Sequence, residues 1–183
     1  MRKFFISPGD PAGIGPEITL KALAKNKDIQ NNFILAGDKK FYQHLISLNK
    51  LDLNLIEENS QDSGVSFKHF PLENKVSLGK PDIGNAKYII DILSYGALGC
   101  LENEFKGLLT GPINKELINQ SGFEFSGHTE FLADISNVKK VVMLLMNSKL
   151  KIALLTTHIP LSEVPSKISK KNLEETIAII SDE

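Results

Sequence analysis

Short apolar runs alternate along this chain with longer segments whose apolar residues recur at helical spacing. Phe4-Phe5-Ile6 reads as a first strand and Phe33-Ile34-Leu35-Ala36 as a second. Val65 to Phe70 alternates apolar with polar residues, as a strand with one solvated face does. Leu108-Leu109-Thr110 is short and apolar and ends at Gly111-Pro112. Val141 to Met146 and Ile152 to Leu155 are continuous apolar runs, which predicts strands buried on both faces. Between these lie helical patterns. One follows Gly15-Pro16, with Ile18, Leu20, Ala22, Leu23 and Ala24 on its stripe and Pro16 in its first turn. Another runs from Ile83 to Leu101, and a last one follows Ser169 with Leu173, Ile177 and Ile180. His44 falls in a helical segment and His69 in a strand. The alternation predicts an α/β domain with a largely parallel sheet. The polar run Asn59 to Gly64 predicts an exposed loop.

The end of the pattern is unusual. The last helical run closes on Ser181-Asp182-Glu183 with no glycine cap, and acidic residues there oppose the helix dipole. Its apolar stripe needs a cover, either the sheet of this domain or further chain. The 183 residues suit one domain, or one and a part. With 42% hydrophobic and 23% charged residues the chain is globular in composition, which excludes disordered and collagen-like classes. A net charge of -1 offers no basic surface for nucleic acid or a membrane face. Cys100 is the single cysteine, so no disulfide forms within the chain. Phe4 to Ile6 is too short for a signal-peptide core, and no stretch approaches the roughly 20 residues of a spanning helix. A soluble, cytoplasmic protein is expected. Arg2 is the sole arginine, so an anionic ligand must be held by Lys, His, Thr and backbone amides, or by groups outside this chain.

Three polar loops punctuated by Gly and Pro each follow directly on an expected strand. They are Ser7 to Glu17, Thr110 to Lys115, and Thr156 to Pro160. Ligands of open α/β sheets bind beyond the carboxyl ends of the strands, so parallel strands would bring all three loops to one edge. The first loop has glycines 9, 13 and 15, which is not G-x-G-x-x-G, and no Gly-Lys-Ser/Thr follows. It reads as a rigid loop in which Asp10 either hydrogen-bonds a ligand hydroxyl or closes an Asx turn on itself. In the second loop Asn114 and Lys115 open a helix. They serve as an anion site or as an ordinary N-cap with a solvated lysine.

Two histidines stand near loop ends. Ser126 reads as an N-cap, which puts His128, Thr129 and Glu130 in a first helical turn whose free donors suit a phosphate or carboxylate. Alternatively, Glu130 complements the dipole and His128 is a surface residue. His158 follows an apolar strand and precedes Ile159-Pro160, a stiff, dry setting that suits a neutral imidazole on a divalent metal. The spacing between His128 and His158 is no recognised ligand motif.

Taken together, the segments Gly9 to Glu17, Thr110 to Lys115, Gly127-His128-Thr129-Glu130-Phe131-Leu132 and Thr156-Thr157-His158-Ile159-Pro160-Leu161 resemble the 4-hydroxythreonine-4-phosphate dehydrogenase family of vitamin B6 biosynthesis. The resemblance implies a three-layer α/β/α fold like that of isopropylmalate dehydrogenase. It implies oxidation of 4-phosphooxy-threonine with NAD or NADP, then decarboxylation to 3-amino-2-oxopropyl phosphate. It also implies one divalent ion (Zn, Mg or Co) held by three histidines, and a homodimer whose metal sites draw ligands from both subunits. Carried over by position, His128 and Thr129 match the substrate-binding pair and His158 the first metal ligand. Asp10, Asn114 and Lys115 fall in matching motifs without an assigned role. The chain supplies a little over half the family length. The expectation is therefore an N-terminal portion, residues 1 to 183, of a dehydrogenase fold incomplete at its C-terminus and inactive alone. The other metal histidines, the Lys, Asn and Arg of the substrate pocket, and most of the dinucleotide site would lie in the absent part. A related dehydrogenase of threonate or erythronate 4-phosphate fits the same motifs, as does a non-catalytic remnant that binds a small phosphorylated acid.

Overall fold

The computed structural model describes residues 2–57, 60 and 62–182. The chain divides into two compact units, Met1–Ser136 and Asn137–Glu183. In the first unit a five-stranded sheet is built from β1 (Phe4–Ser7), β2 (Phe33–Gly37), β3 (Leu55–Ile56), β4 (Val65–His69) and β5 (Gly107–Thr110). Their order is β3-β4-β2-β1-β5 and every neighbouring pair is parallel. Phe5 stands beside Ile34 and Leu108, and Ile6 beside Leu35 and Leu109, so alternate residues of each strand feed opposite faces.

Helices cover both faces. On one, Ile6, Leu35, Val65 and Phe67 meet Leu20 and Leu23 of α1 (Gly15–Lys25) and Tyr42 and Leu45 of α2 (Lys39–Leu48). On the other, Phe5, Ile34 and Ala36 meet Ile89, Ile92 and Leu93 of α3 (Ala86–Leu101). That second cluster takes in Leu117 and Ile118 of α4 (Lys115–Gln120), and Phe131 of α5 (His128–Ile135) packs against it. The arrangement is the expected α/β/α sandwich. Each fully buried aliphatic side chain in it contributes about 1.5–3 kcal/mol by leaving water.

Local chemistry fixes the helix starts. Pro16 sits in the first turn of α1, Glu17 complements its dipole, and Lys21 pairs with Glu17 one turn along. Asp38 caps α2 by accepting from Phe41 N at 2.9 Å, while its other oxygen accepts from Leu72 N at 3.2 Å. One carboxylate thus fastens the end of β2 to the chain leaving β4. The short β3 does not stand out in the sequence pattern. Of the expected loop from Asn59 to Gly64, Asn59 and Gln61 lie outside the described residues, and Asp62 and Ser63 are exposed.

The second unit departs from expectation. β6 (Met143–Met146) and β7 (Lys151–Leu154) form a two-stranded antiparallel hairpin, not strands of the parallel sheet. The apolar runs predicted to be buried on both faces are largely exposed; Leu145 and Met146 are 55% and 63% accessible. The turn explains the pairing: Asn147 Oδ1 accepts from Lys149 N and Leu150 N, and Asn147 N donates to Leu150 O, reversing the chain within a few residues. α6 (Val164–Lys167) and α7 (Lys170–Asp182) follow. Lys140 Nζ donates to the carbonyl oxygen of Asn172 at 2.8 Å, tying the start of the unit to α7. The stripe Leu173, Ile177 and Ile180 is exposed.

Candidate functional site

The winding of the sheet reverses beside β1. The chain steps from β1 to β2 and outward to β4, then returns through α3 to β5 on the other flank of β1. The loops leaving β1 and β5 lead to α1 and α4, which lie on opposite faces of the sheet. Their carboxyl ends therefore flank a topological switch point, where open α/β sheets bind ligands.

At that point the two loops are locked backbone to backbone. Gly111 N donates to Ser7 O at 2.7 Å, and Asp10 N donates to Pro112 O at 3.1 Å. Glycine makes the approach possible. A Cβ on Gly111 would lie 2.0 Å from Pro8 O, and one on Gly9, whose φ is +85°, would lie 2.2 Å from Pro112 O. A third stretch joins them, since Gly79 N donates to Ala12 O at 2.8 Å.

Asp10 and Asn114 are engaged in the scaffold. Asp10 is buried, its Oδ1 accepts from Ala12 N at 2.9 Å and its carbonyl accepts from Gly13 N. This is the Asx-turn alternative. Burial pushes the Asp10 carboxyl above the usual range, partly offset by the Ala12 hydrogen bond. Asn114 caps α4 through Leu117 N at 3.2 Å, and Lys115 is solvent-exposed. Both match the ordinary N-cap alternative.

His128 opens α5, as expected, but the N-cap is Gly127 and not Ser126. Gly127 is extended and has no side chain to cap with; its carbonyl oxygen accepts the first intrahelical bond, from Phe131 N at 3.1 Å. The His128 ring meets Phe125 edge-on with centroids 5.7 Å apart. Its Nε2 is buried without a hydrogen-bond partner. Burial lowers the His128 pKa, which favours the neutral imidazole. Thr129 follows in the same turn, half-buried.

Sequence reasoning missed Asn85. It precedes α3, is 1% exposed, and its Nδ2 has no partner. Asp82 caps the 3-10 turn before it: its Oδ1 accepts from Gly84 N at 2.8 Å and its carbonyl oxygen accepts from Asn85 N at 3.0 Å. The sequence signal was Asp82-Ile83-Gly84-Asn85, two capping residues where one helix start needs one. His69 was also undervalued: it ends β4 at the carboxyl edge of the sheet, where its Nδ1 accepts from Lys39 N at 3.2 Å.

His158 belongs to the second unit, after β7. Because β7 is antiparallel to β6, the third loop does not issue from the parallel sheet. Within the first unit, two loops meet at the switch point. Nor is His158 in a dry setting; it is exposed, with a left-handed backbone at φ +57°. His44 is exposed on α2. Among the described residues no group of three or more His, Cys, Asp or Glu side chains could hold a metal ion. Among them, too, no helix is long and apolar enough to cross a membrane.

Fold and loops together define an open, doubly wound α/β protein with two interlocked loops at its switch point. Comparison with known proteins gives the family. Residues 28–183 match the family model of the pyridoxal phosphate biosynthetic protein PdxA, and the chain belongs to that family. A curated 4-hydroxythreonine-4-phosphate dehydrogenase of Vibrio parahaemolyticus is 35% identical over 98% of this chain and 56% of its own length. One from Yersinia pseudotuberculosis is 36% identical over 99% of this chain and 56% of its own length. The crystal structure of 4-hydroxythreonine-4-phosphate dehydrogenase from Klebsiella pneumoniae superposes with a TM-score of 0.87 at 26% identity, covering 98% of this chain and 58% of that one. The chain therefore spans a little over half the length of these relatives.

Proposed function

We propose that this chain is the N-terminal portion of an enzyme of pyridoxal 5'-phosphate biosynthesis that oxidises 4-phosphooxy-L-threonine with NAD or NADP, the product losing its carboxylate to give 3-amino-2-oxopropyl phosphate. The observation that carries this reading is the match of nearly the whole chain to relatives named 4-hydroxythreonine-4-phosphate dehydrogenase. When bound, the nicotinamide accepts the hydride. This chain's own contribution is substrate binding. The Thr129 hydroxyl and the free donors of the first turn of α5 face an anionic group, and a neutral His128 offers one hydrogen bond without adding charge. Asp10 and Asn114 shape the switch-point loops, their side-chain oxygens accepting from backbone N–H groups, and Lys115 stands exposed at the start of α4.

The described residues do not by themselves fit a divalent ion, since His158 offers one ligand and no set of three exists among them. A metal bound at His158 requires ligands from outside these residues, in keeping with a homodimer that shares its sites. The test is NAD(P) reduction with 4-phosphooxy-L-threonine and a divalent metal. The lone chain should give no turnover. A mixture with a polypeptide carrying the unmatched length of the Vibrio parahaemolyticus relative should restore it, and His128→Ala in that mixture should lower kcat/KM by about 100-fold. Turnover by the lone chain would overturn the reading, and so would an assembled mixture that turns over threonate 4-phosphate in place of this substrate.

A further inference from the structure

The imidazole of His128 is held by packing. Its Nε2 is buried and takes no hydrogen bond, and the ring lies edge-on to Phe125 with centroids 5.7 Å apart. Phe125 is 3% exposed, belongs to the core cluster beneath α3, and meets Phe131 of α5 at 5.5 Å between centroids. Where Phe125 stands therefore decides where the His128 ring stands.

Phe125 lies between α4 and α5, outside any helix or strand, so its backbone polar groups need partners from elsewhere. One side chain supplies both. Asn119 Oδ1 accepts from Phe125 N at 2.8 Å, and Asn119 Nδ2 donates to Phe125 O at 3.1 Å. The N–H and C=O of one residue belong to successive peptide units, so this pairing holds the backbone on both sides of the Phe125 Cα. Asn119 is itself well anchored. It follows Leu117 and Ile118, which are buried in the same cluster as Phe125, on a helix whose start is capped by Asn114 from the loop leaving β5. Yet Asn119 is an exposed residue in the last turn of α4, a position whose packing asks for no asparagine. Its amide is spent on Phe125.

We propose that Asn119 is a positioning residue for the substrate site: by bracing Phe125 it sets the place and tilt of the His128 ring at the start of α5. The brace stands on geometry alone, while its effect on turnover rests on the reading of His128 as a substrate-binding residue.

The experiment records the carbon-bound imidazole proton signals of the full chain by NMR, at a pH where all four histidines are neutral. His128→Gln identifies the His128 signals, which the neighbouring Phe125 ring displaces from those of solvated imidazoles. Asn119→Leu removes both bonds at similar volume and should cut that displacement by about half or more. Asn119→Asp keeps an oxygen for Phe125 N but loses the donor to Phe125 O, and should fall between Asn119→Leu and the parent. Ser121→Ala removes a different bond at the end of α4, from Ser121 Oγ to Ile118 O, and should leave the His128 signals in place. In the mixture that tests turnover, Asn119→Leu should raise KM by about tenfold with kcat little changed, the sign of lost binding. In a His128→Ala background the same substitution should add nothing, because its effect passes through the imidazole. Unmoved His128 signals in both Asn119 variants, an equal change from Ser121→Ala, or a full further loss on top of His128→Ala would overturn the proposal. Should Asn119→Leu fail to fold, Asn119→Asp decides by the same signals. A mixture that never turns over fails the substrate reading, and the signals of the lone chain then decide the brace by themselves.

Discussion

The loops at the switch point and the loop that carries His158 share a composition, Gly, Pro, Thr and a few polar side chains, yet they are held in opposite ways. Ser7 to Gly15 and Thr110 to Asn114 are clamped by backbone hydrogen bonds, glycine-to-carbonyl contacts and two covered faces of a sheet. His158 follows a two-stranded hairpin with exposed apolar faces, and its own backbone is left-handed. The difference teaches where each loop gets its shape. The first pair is shaped by contacts within its own unit. The third adopts a conformation that costs a non-glycine residue about 1–2 kcal/mol.

Filling the clamp is the harshest way to break this comparison. Gly111→Ala places a Cβ 2.0 Å from Pro8 O, a backbone atom of a fully buried proline that cannot swing aside. The expected loss is about 3 kcal/mol or more, at the upper end of overpacking effects, read as a drop in the denaturation midpoint of the first unit. Gly122→Ala is the control. At φ +91° it carries the conformational cost but meets nothing within 4 Å, so it should lose only about 1–2 kcal/mol. Equal losses from the two would mean that the loops are not interlocked.

The same contrast separates what could be read in the sequence from what could not. β1, β2, β4 and β5 and their helices were legible because each buried face writes a period into the chain: Phe5 and Ile6 point opposite ways, and Ile89 and Leu93 return after one turn. The runs of β6 and β7 were read correctly as strands and wrongly as buried, since an apolar strand carries no record of what covers it. The direction of β7 was set by Asn147, whose turn bonds outweigh the analogy of three similar loops. At the site, both open alternatives for Asp10 and Asn114 were visible in the residue types, and local hydrogen bonding decided them. Asn85 was not legible. Its side chain makes no cap bond to α3 and its Nδ2 is buried without a partner, which the residue types do not announce.

A smaller effect should come from the charge inside the clamp. Burial holds the Asp10 pKa above its ordinary value of 3.8. Between that value and the raised one the folded chain binds more protons than the unfolded chain, so stability falls as pH rises through the window. Above the window the ionised carboxylate remains a standing cost. Asp10→Asn keeps an oxygen to accept from Ala12 N and removes the charge. It should be more stable than the parent at neutral pH, with the advantage shrinking as pH falls through the window toward 3.8. Urea titrations across that range measure it. A variant less stable than the parent at neutral pH would show that Asp10 is held ionised by a donor beyond Ala12, which would turn it from scaffold into ligand-facing group.

The mildest test falls on His158. Replacement by glycine removes the left-handed penalty but adds about 0.5–1 kcal/mol of chain entropy to the unfolded state, so the net gain should be about 1 kcal/mol or less. His158→Ala keeps the penalty and should match the parent, since the exposed imidazole holds nothing in the fold of this unit. Thermal unfolding of the three chains, with amide exchange at Lys151 to Leu154 reporting on the hairpin, separates the cases. If glycine stabilises and alanine does not, the backbone at His158 is strained, and a strained non-glycine residue at the mouth of a strand is kept for what its side chain does. If alanine is the less stable of the two by more than the conformational terms allow, the imidazole supports the turn itself. Its candidacy as a metal ligand would then have to rest on something other than its backbone.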